Sequence, residues 1–528
     1  MNKLIILIGA LFLVTTFGCE DNFEDLEKDP NRPVTAPASL ILNNIEFQMY
    51  NSTGRAFSGE MRWNQFYCSN YNYYATNEYT WSEMPNHFIT LKNVVKMEEE
   101  AINAGAETVN PYSALGKFFR AFFYDQMTKR VGDLPLNDAL KGVENFEPAY
   151  NSQKEIYVQI LKWLEESNDE IATLVNKGNN NVAGDIYFGG DLAKWQKVVN
   201  AFHLRILTTL SAKESDPDLN IKGRFAAIIS NPGKFPLLQG LGDNLEFVSN
   251  NFNKYPSNPD NFGFDATRQN MSAAYIDRLK ERQDPRLFMT SEPAGSELKA
   301  GKPASDFAAY HGASSGEDLA DMSFKAGTSN GTFAPGSYSF QNRNRYYTNY
   351  EGEATFIIGY PEMCFNIAEG IHRGWAAGSA QNWYENGIKA SFEFYGIKDG
   401  ANTFTYSKTG GKNASDFASF NYNFNLNGSY LAQANVKYTA DAKFLEQIIT
   451  QKYLAFFMNS GMEAYFNWRR TGFPKFYVGV GTGNSERIAL RWQYPFSERT
   501  TNQKNYESSI MAQYGGKDDI NDKIWLLK

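Results

Sequence analysis

Apolar residues recur every three to four positions over long stretches, which predicts a mainly α-helical body. Residues 87–104 carry Phe88, Leu91, Val94, Val95 and Ile102 in this spacing. Residues 111–129 follow with Leu115, Phe118, Phe119, Phe122 and Phe123, and 155–175 with Ile156, Ile160, Leu161, Leu164 and Ile171. In 192–210, Trp195, Val199, Phe202 and Ile206 share one face. Further helices are expected over 355–375, 381–395 and 441–468, the last broken near Gly461. Amphipathic pairs joined by short turns suggest a helical-repeat scaffold, and Trp383-Tyr384…Gly387…Ala390…Phe394 is loosely like a tetratricopeptide helix. Three stretches break the pattern: 235–267, 292–350 and 401–438 are rich in Asn, Gly, Ser or Tyr. Loops this long are functional or contain short strands.

The first residues read as an address. Lys3 precedes an 11-residue apolar run, Leu4 to Val14, and Gly18-Cys19 follows shortly after. A run this short is a signal peptide over 1–18 rather than a spanning helix. The cysteine placement resembles a bacterial lipoprotein processing site, with Cys19 lipidated. Residues 19–38 are acidic and Pro-bearing, which suits an extended tether. The folded body is expected over 39–528. Cys68 and Cys364 are expected to be buried free thiols.

The chain of 528 residues has formal net charge −8, so a nucleic-acid partner is not indicated. Mean hydropathy of −0.48, without a second long apolar run, excludes a polytopic membrane protein. Eighty residues are aromatic, 31 of them Tyr, and Asn is also abundant. Such a surface suits neutral polyhydroxylated ligands, although Asn also fills loops and Tyr also packs.

Catalytic patterns mostly fail. None of the four histidines forms HExxH or a paired metal spacing. Gly312-Ala313-Ser314-Ser315-Gly316 matches GxSxG but lies in a Gly/Ser-rich stretch rather than a strand–helix elbow. Gly479-Val480-Gly481-Thr482-Gly483 lacks the spacing of a dinucleotide loop. The run 423–428 mimics a calcium loop without its carboxylates, so a turn or hairpin is expected there. Neither cofactor nor metal is called for.

An aromatic and amide cluster remains. Trp63, Phe66, Tyr67, Tyr71, Tyr73, Tyr74, Tyr79 and Trp81 fall within 19 residues, interleaved with Asn64, Asn70, Asn72 and Asn77. A second such segment is 338–347. Aromatic faces can stack on sugar rings while amides bond the hydroxyls. The candidate stacking residues are Trp63, Tyr71, Tyr74, Trp81 and Tyr346; Asn77, Asn342 and Arg343 are candidates for hydroxyl contacts. The competing reading packs these side chains into the body or against a partner.

Several segments together resemble a known family. They are Phe119-Arg120-Ala121…Gly132-Asp133-Leu134-Pro135-Leu136, Trp195…Asn200-Ala201…Leu204-Arg205, Ala368-Glu369…Arg373-Gly374, Tyr384-Glu385-Asn386-Gly387-Ile388…Ala390-Ser391, Glu463-Ala464-Tyr465…Arg469-Arg470, and Arg491…Tyr494-Pro495…Glu498…Asn502. In this order, behind a lipoprotein signal, they resemble the SusD/RagB nutrient-binding lipoproteins of Bacteroidetes. The resemblance implies a mainly α SusD-like fold, with tetratricopeptide-like helix pairs beside a loop-rich part holding a few short strands. It implies a non-enzymatic, surface-exposed outer-membrane protein that passes oligosaccharide to a SusC-like TonB-dependent transporter. A peptide or other non-glycan nutrient is an alternative ligand. A surface glycan hydrolase, or a scaffold whose aromatics all face a partner, is an alternative of another class. The family's ligand-contacting aromatics lie on variable loops, so the matching segments read as scaffold.

Overall fold

A computed structural model describes residues 36–52, 54–73, 75–327 and 336–528. The proposed signal peptide, Cys19, most of the tether and Tyr74 lie outside the described residues. The chain is mainly helical, with four two-stranded antiparallel pairs among the described residues.

Capping chemistry sets the starts of the long helices. Asn110 accepts from the amides of Tyr112 and Ser113, and Pro111 takes the first helical position of Pro111–Val131. Ser152 and Glu155 form a reciprocal capping box at the start of Gln153–Asn176. Asp191 caps Leu192–Thr209 by accepting from the Ala193 and Lys194 amides. Together with Phe88–Asn103 these helices pack in sequence order, each against the next. Pro111–Val131 is buried on nearly every face, so it is the centre of this half rather than an amphipathic surface helix. Its Phe118 meets Trp195 and Phe202 edge-on, at 5.6 and 5.7 Å between centroids.

The second half is built on Tyr360–His372, Ala380–Phe394, Lys443–Ala455 and Glu463–Thr471. Tyr360–His372 packs on Leu192–Thr209 and so joins the halves. At Gly387 a Cβ would lie 2.8 Å from the Phe365 ring, so only glycine lets this helix pair approach so closely. The helix expected over 355–375 begins five residues late. Thr355–Ile358 is instead a buried strand paired with Leu245–Phe247. Its β-branched, apolar run suits a strand, and Gly359 and Pro361 then open the helix.

The expected loops contain short elements. Leu245–Phe247 and Phe262–Asp265 lie within 235–267; Gly295–Lys299, Leu319–Lys325 and Arg343–Tyr346 lie within 292–350. Gly400–Ser407 and Phe417–Phe424 form a hairpin of two eight-residue strands at the start of 401–438. The calcium-like run ends in a turn, where Asn425 accepts from the Gly428 amide. GxSxG and the 479–483 glycines are packing devices. A Cβ at Gly312 would strike the Ser272–Ala273 backbone, one at Gly316 the Val478–Gly479 backbone, and the Gly481 amide bonds the Gly316 carbonyl. Cys68 and Cys364 are buried and unpaired, and burial pushes their thiols up to about 11 and about 12.

Buried charges tie the halves together. Lys129 contacts Asp125 at 2.7 Å and Glu463 at 2.6 Å. The Arg205 guanidinium grips both oxygens of Glu362 and the Ile357 carbonyl. Arg470 does the same to Glu369, which also accepts from Arg373. Burial would raise the Glu369 carboxyl, but Arg470 and Arg373 overcome it and hold it near about 2. Lys452 reaches only amide oxygens, those of Asn366 and Asn467. Burial, only partly offset by nearby carboxylates, lowers it to about 8. Glu362→Gln leaves Arg205 buried without its counter-charge. The expected cost is about 3–5 kcal/mol in denaturant unfolding; a change within about 1 kcal/mol, the size of an exposed pair, would contradict this role.

Candidate ligand-binding face

The first aromatic segment is threaded onto a small sheet. Tyr67–Ser69 pairs with Gln269–Met271, and the Asn70 amide extends the pairing to the Arg268 carbonyl. Asn77 closes the segment on itself: its side chain accepts from the Ser69 amide and donates to the Ser69 carbonyl, both at 2.8 Å. It is a buried strand mimic with its bonds filled. Trp81 is 5% exposed and stacks on Trp492 at 3.8 Å. Trp63 is half-buried, meets Trp81 edge-on at 5.3 Å, and donates its indole N–H to the Glu78 carbonyl. Trp81 is core, and Trp63 packs half-buried against it.

The second segment lies on the other side of the same sheet. The Met271 amide bonds the Ser339 carbonyl, and Phe340 bridges to Asn270. The two segments therefore meet through Gln269–Met271, but most side chains chosen from sequence turn inward. Asn342 caps Arg343–Tyr346 and donates to the Phe288 and Thr405 carbonyls. Tyr346 is buried between Phe57 and Tyr255. Arg343 is buried against Glu292 and also donates to the Ala266 carbonyl.

Tyr71 and Tyr73 remain at the surface, 40% and 81% exposed. Their rings are 6.3 Å apart, and the Arg268 guanidinium lies 4.4 Å from the Tyr71 centroid. A guanidinium over one face holds the ring in its orientation. Arg268 could be found only from the structure, because it is 197 residues from Tyr71 in sequence and is brought there by strand pairing. Nearby, Phe340, Arg343, Ser407, Lys408, Pro293 and Leu298 help line a cavity of about 420 Å³. The hairpin supplies Ser407 and Lys408, and reading 401–438 as a loop hid them. Segments 70–73, 259–268, 336–343 and 407–412 thus form one loop face: Asn70 bonds the Thr267 carbonyl, Arg343 the Ala266 carbonyl and Lys412 the Pro259 carbonyl.

This face offers rings, amides, hydroxyls and cations. His87 and His203 are buried in the helical half, and burial lowers each to about 3. Among the described residues no three His, Cys, Asp or Glu are placed to hold a metal. A second cavity of about 410 Å³ on the helical side is lined by Phe47, Tyr187, Phe188 and Phe247 with Asn244 and Asn250 among its polar groups. It meets the same chemical description without drawing on either aromatic segment.

A family model described as SusD-like, starch-binding associating with outer membrane, matches residues 30–495. Among solved structures, a SusD homolog from Bacteroides fragilis is 27% identical with TM-score 0.79, over 93% of this chain and 100% of its own. A second SusD homolog from the same organism is 30% identical with TM-score 0.75, over 94% and 100%. A chitin-binding SusD homolog from Flavobacterium johnsoniae is 21% identical with TM-score 0.67, over 93% and 98%, and shares the fold. Comparison with curated proteins finds no match.

The contacts separate structural from exposed members of the cluster. Asn77→Ala strands a buried amide and carbonyl of Ser69 and is expected to cost about 1–3 kcal/mol in chemical unfolding. Tyr73→Ala is expected to stay within about 0.5 kcal/mol of the parent. Equal costs for the two would contradict the division.

Proposed function

Since the chain belongs to the SusD-like family of outer-membrane-associated proteins, we propose that it captures an oligosaccharide on its loop face and passes it to a SusC-like TonB-dependent transporter. Cys19 would carry the lipid and residues 20–38 the tether to the outer membrane. The mature protein would stand at the cell surface. The observation that carries the binding reading is the exposed Tyr71–Tyr73 pair with Arg268 behind it. In an aromatic-rich chain most rings are buried; two neighbouring tyrosines left outside a well-packed body present the flat, wettable surface that a sugar ring covers. Amides and hydroxyls on the same face provide directional bonds without charge transfer, which suits binding and release rather than bond-breaking. Of the residues first singled out, Tyr71 is retained as a contact and Arg343 as the floor of the cavity. Tyr74 belongs to the same segment.

The test is calorimetric titration of the chain beginning at Asn22 with a panel of oligosaccharides and peptides. Tyr71→Ala and Tyr73→Ala are each expected to weaken saccharide binding by about 1–3 kcal/mol, taking base–aromatic stacking as the guide, with thermal stability unchanged. Binding lost instead in Phe247→Ala would move the site to the helical-side cavity. Binding of peptides alone, or of nothing, would overturn the glycan reading.

A further inference from the structure

The chain as a whole is acidic, with 59 Asp and Glu against 51 Lys and Arg, yet the loop-face cavity is not. Its lining includes three cations, Lys299, Arg343 and Lys408, and one carboxylate, Glu292. That carboxylate is fully used. One oxygen accepts from the Arg343 amide at 2.9 Å and the Ser407 amide at 3.0 Å, and the other takes the Arg343 guanidinium. Arg343 and Glu292 therefore cancel, and the two lysines are left over.

Three nearby acids are held by other groups. Glu297, on the same short helix as Lys299, pairs with Lys302 at 2.7 Å and His311 at 3.0 Å. Asp416, the carboxylate that senses Lys408, accepts from the Thr409 hydroxyl at 2.6 Å and the Asn413 amide at 2.9 Å. Asp260 is held by Lys254. Among the described residues, neither Lys299 nor Lys408 has a carboxylate partner within ion-pair distance. Among the described residues, the surrounding face adds two more cations outside any ion pair: Arg268 lies over Tyr71, and Lys412 bonds a carbonyl and lies 5.1 Å over Phe262. Two other cavities differ. The helical-side cavity balances Lys194 against Glu246. The one bounded by Glu98, Glu99, Lys117 and Arg120 contains the Arg120–Glu98 pair, with Lys117 held by Glu170.

We propose that the oligosaccharide taken by this face is anionic, bearing carboxylate or sulfate groups, with Lys299 and Lys408 as its charge-reading residues and the tyrosines as its ring-reading ones. This rests on the glycan reading above. The two exposed lysines stand at the edge of a cavity whose walls include Pro293, Leu298 and Phe340, and add positive potential there.

The test titrates the full soluble chain with oligogalacturonate, a sulfated oligosaccharide, a neutral malto-oligosaccharide of equal length, and oligoglutamate. One or both acidic saccharides are expected to bind at least about tenfold more tightly than the neutral one at low salt. The gap should narrow as salt rises toward a Debye length of about 8 Å. Lys299→Ala/Lys408→Ala is expected to erase the gap, with thermal stability unchanged. The carboxylate and sulfate arms identify which group is read. Equal binding of neutral and acidic saccharides would overturn the anionic assignment while leaving glycan capture standing. An acid preference that survives the double variant, or oligoglutamate binding as well as the saccharides, would also overturn it. Binding of no saccharide would overturn both readings.

Discussion

Lys129, Arg205 and Arg470 are almost sealed from solvent, and each is answered by a carboxylate from a distant part of the chain: Glu463, Glu362 and Glu369. Two ion pairs, Lys129–Glu463 and Arg205–Glu362, tie the early helices to the late ones across a buried seam, and Arg470–Glu369 joins two of the late helices beside them. A charge withdrawn from water tolerates little displacement of its partner, because the attraction that offsets desolvation depends on close geometry. The helices must therefore meet in one register. The residues in this seam are drawn from the segments that carry the family resemblance, such as Leu204-Arg205, Ala368-Glu369 and Arg469-Arg470. They hold the body together and take no part in the exposed face.

A body fixed in this way can carry loops of arbitrary content. Residues 235–267, 292–350 and 401–438 leave the helices and return to them, and between them they build most of the candidate site. Their own order comes from short devices: a hairpin in full register, an ion pair between Glu292 and Arg343, a side chain such as Asn342 bridging two carbonyls. Each device holds one loop to the next. Binding chemistry can then vary with loop sequence while the seam stays the same, which accounts for relatives that keep the fold at about one-fifth to one-third identity.

The helices were legible where one face is apolar and the other polar, as in Gln153–Asn176, and where caps mark the ends. They were less legible where burial is one-sided by context: Thr355–Ile358 reads as a helix start until its strand partner 110 residues earlier is known. The site was less legible still. Trp63 and Trp81 have the composition of a sugar platform, but a third tryptophan, Trp492, arrives from the far end of the chain and packs against both. Asn77 looks available in sequence, yet both its bonds go to Ser69, eight residues away. Tyr71 and Tyr73 differ from their buried neighbours only in what fails to cover them, and local sequence does not record that.

Hydrogen exchange on the full soluble chain, with and without saturating oligosaccharide, tests most directly whether a rigid charged seam supports a separate loop-face site. The account requires protection to appear at residues 70–73, 259–268 and 407–412, while the helices bearing Lys129, Arg205 and Glu463 stay equally slow in both states. Protection centred on the helical-side cavity at 187–188 and 244–253, or a ligand effect on the seam itself, would contradict it.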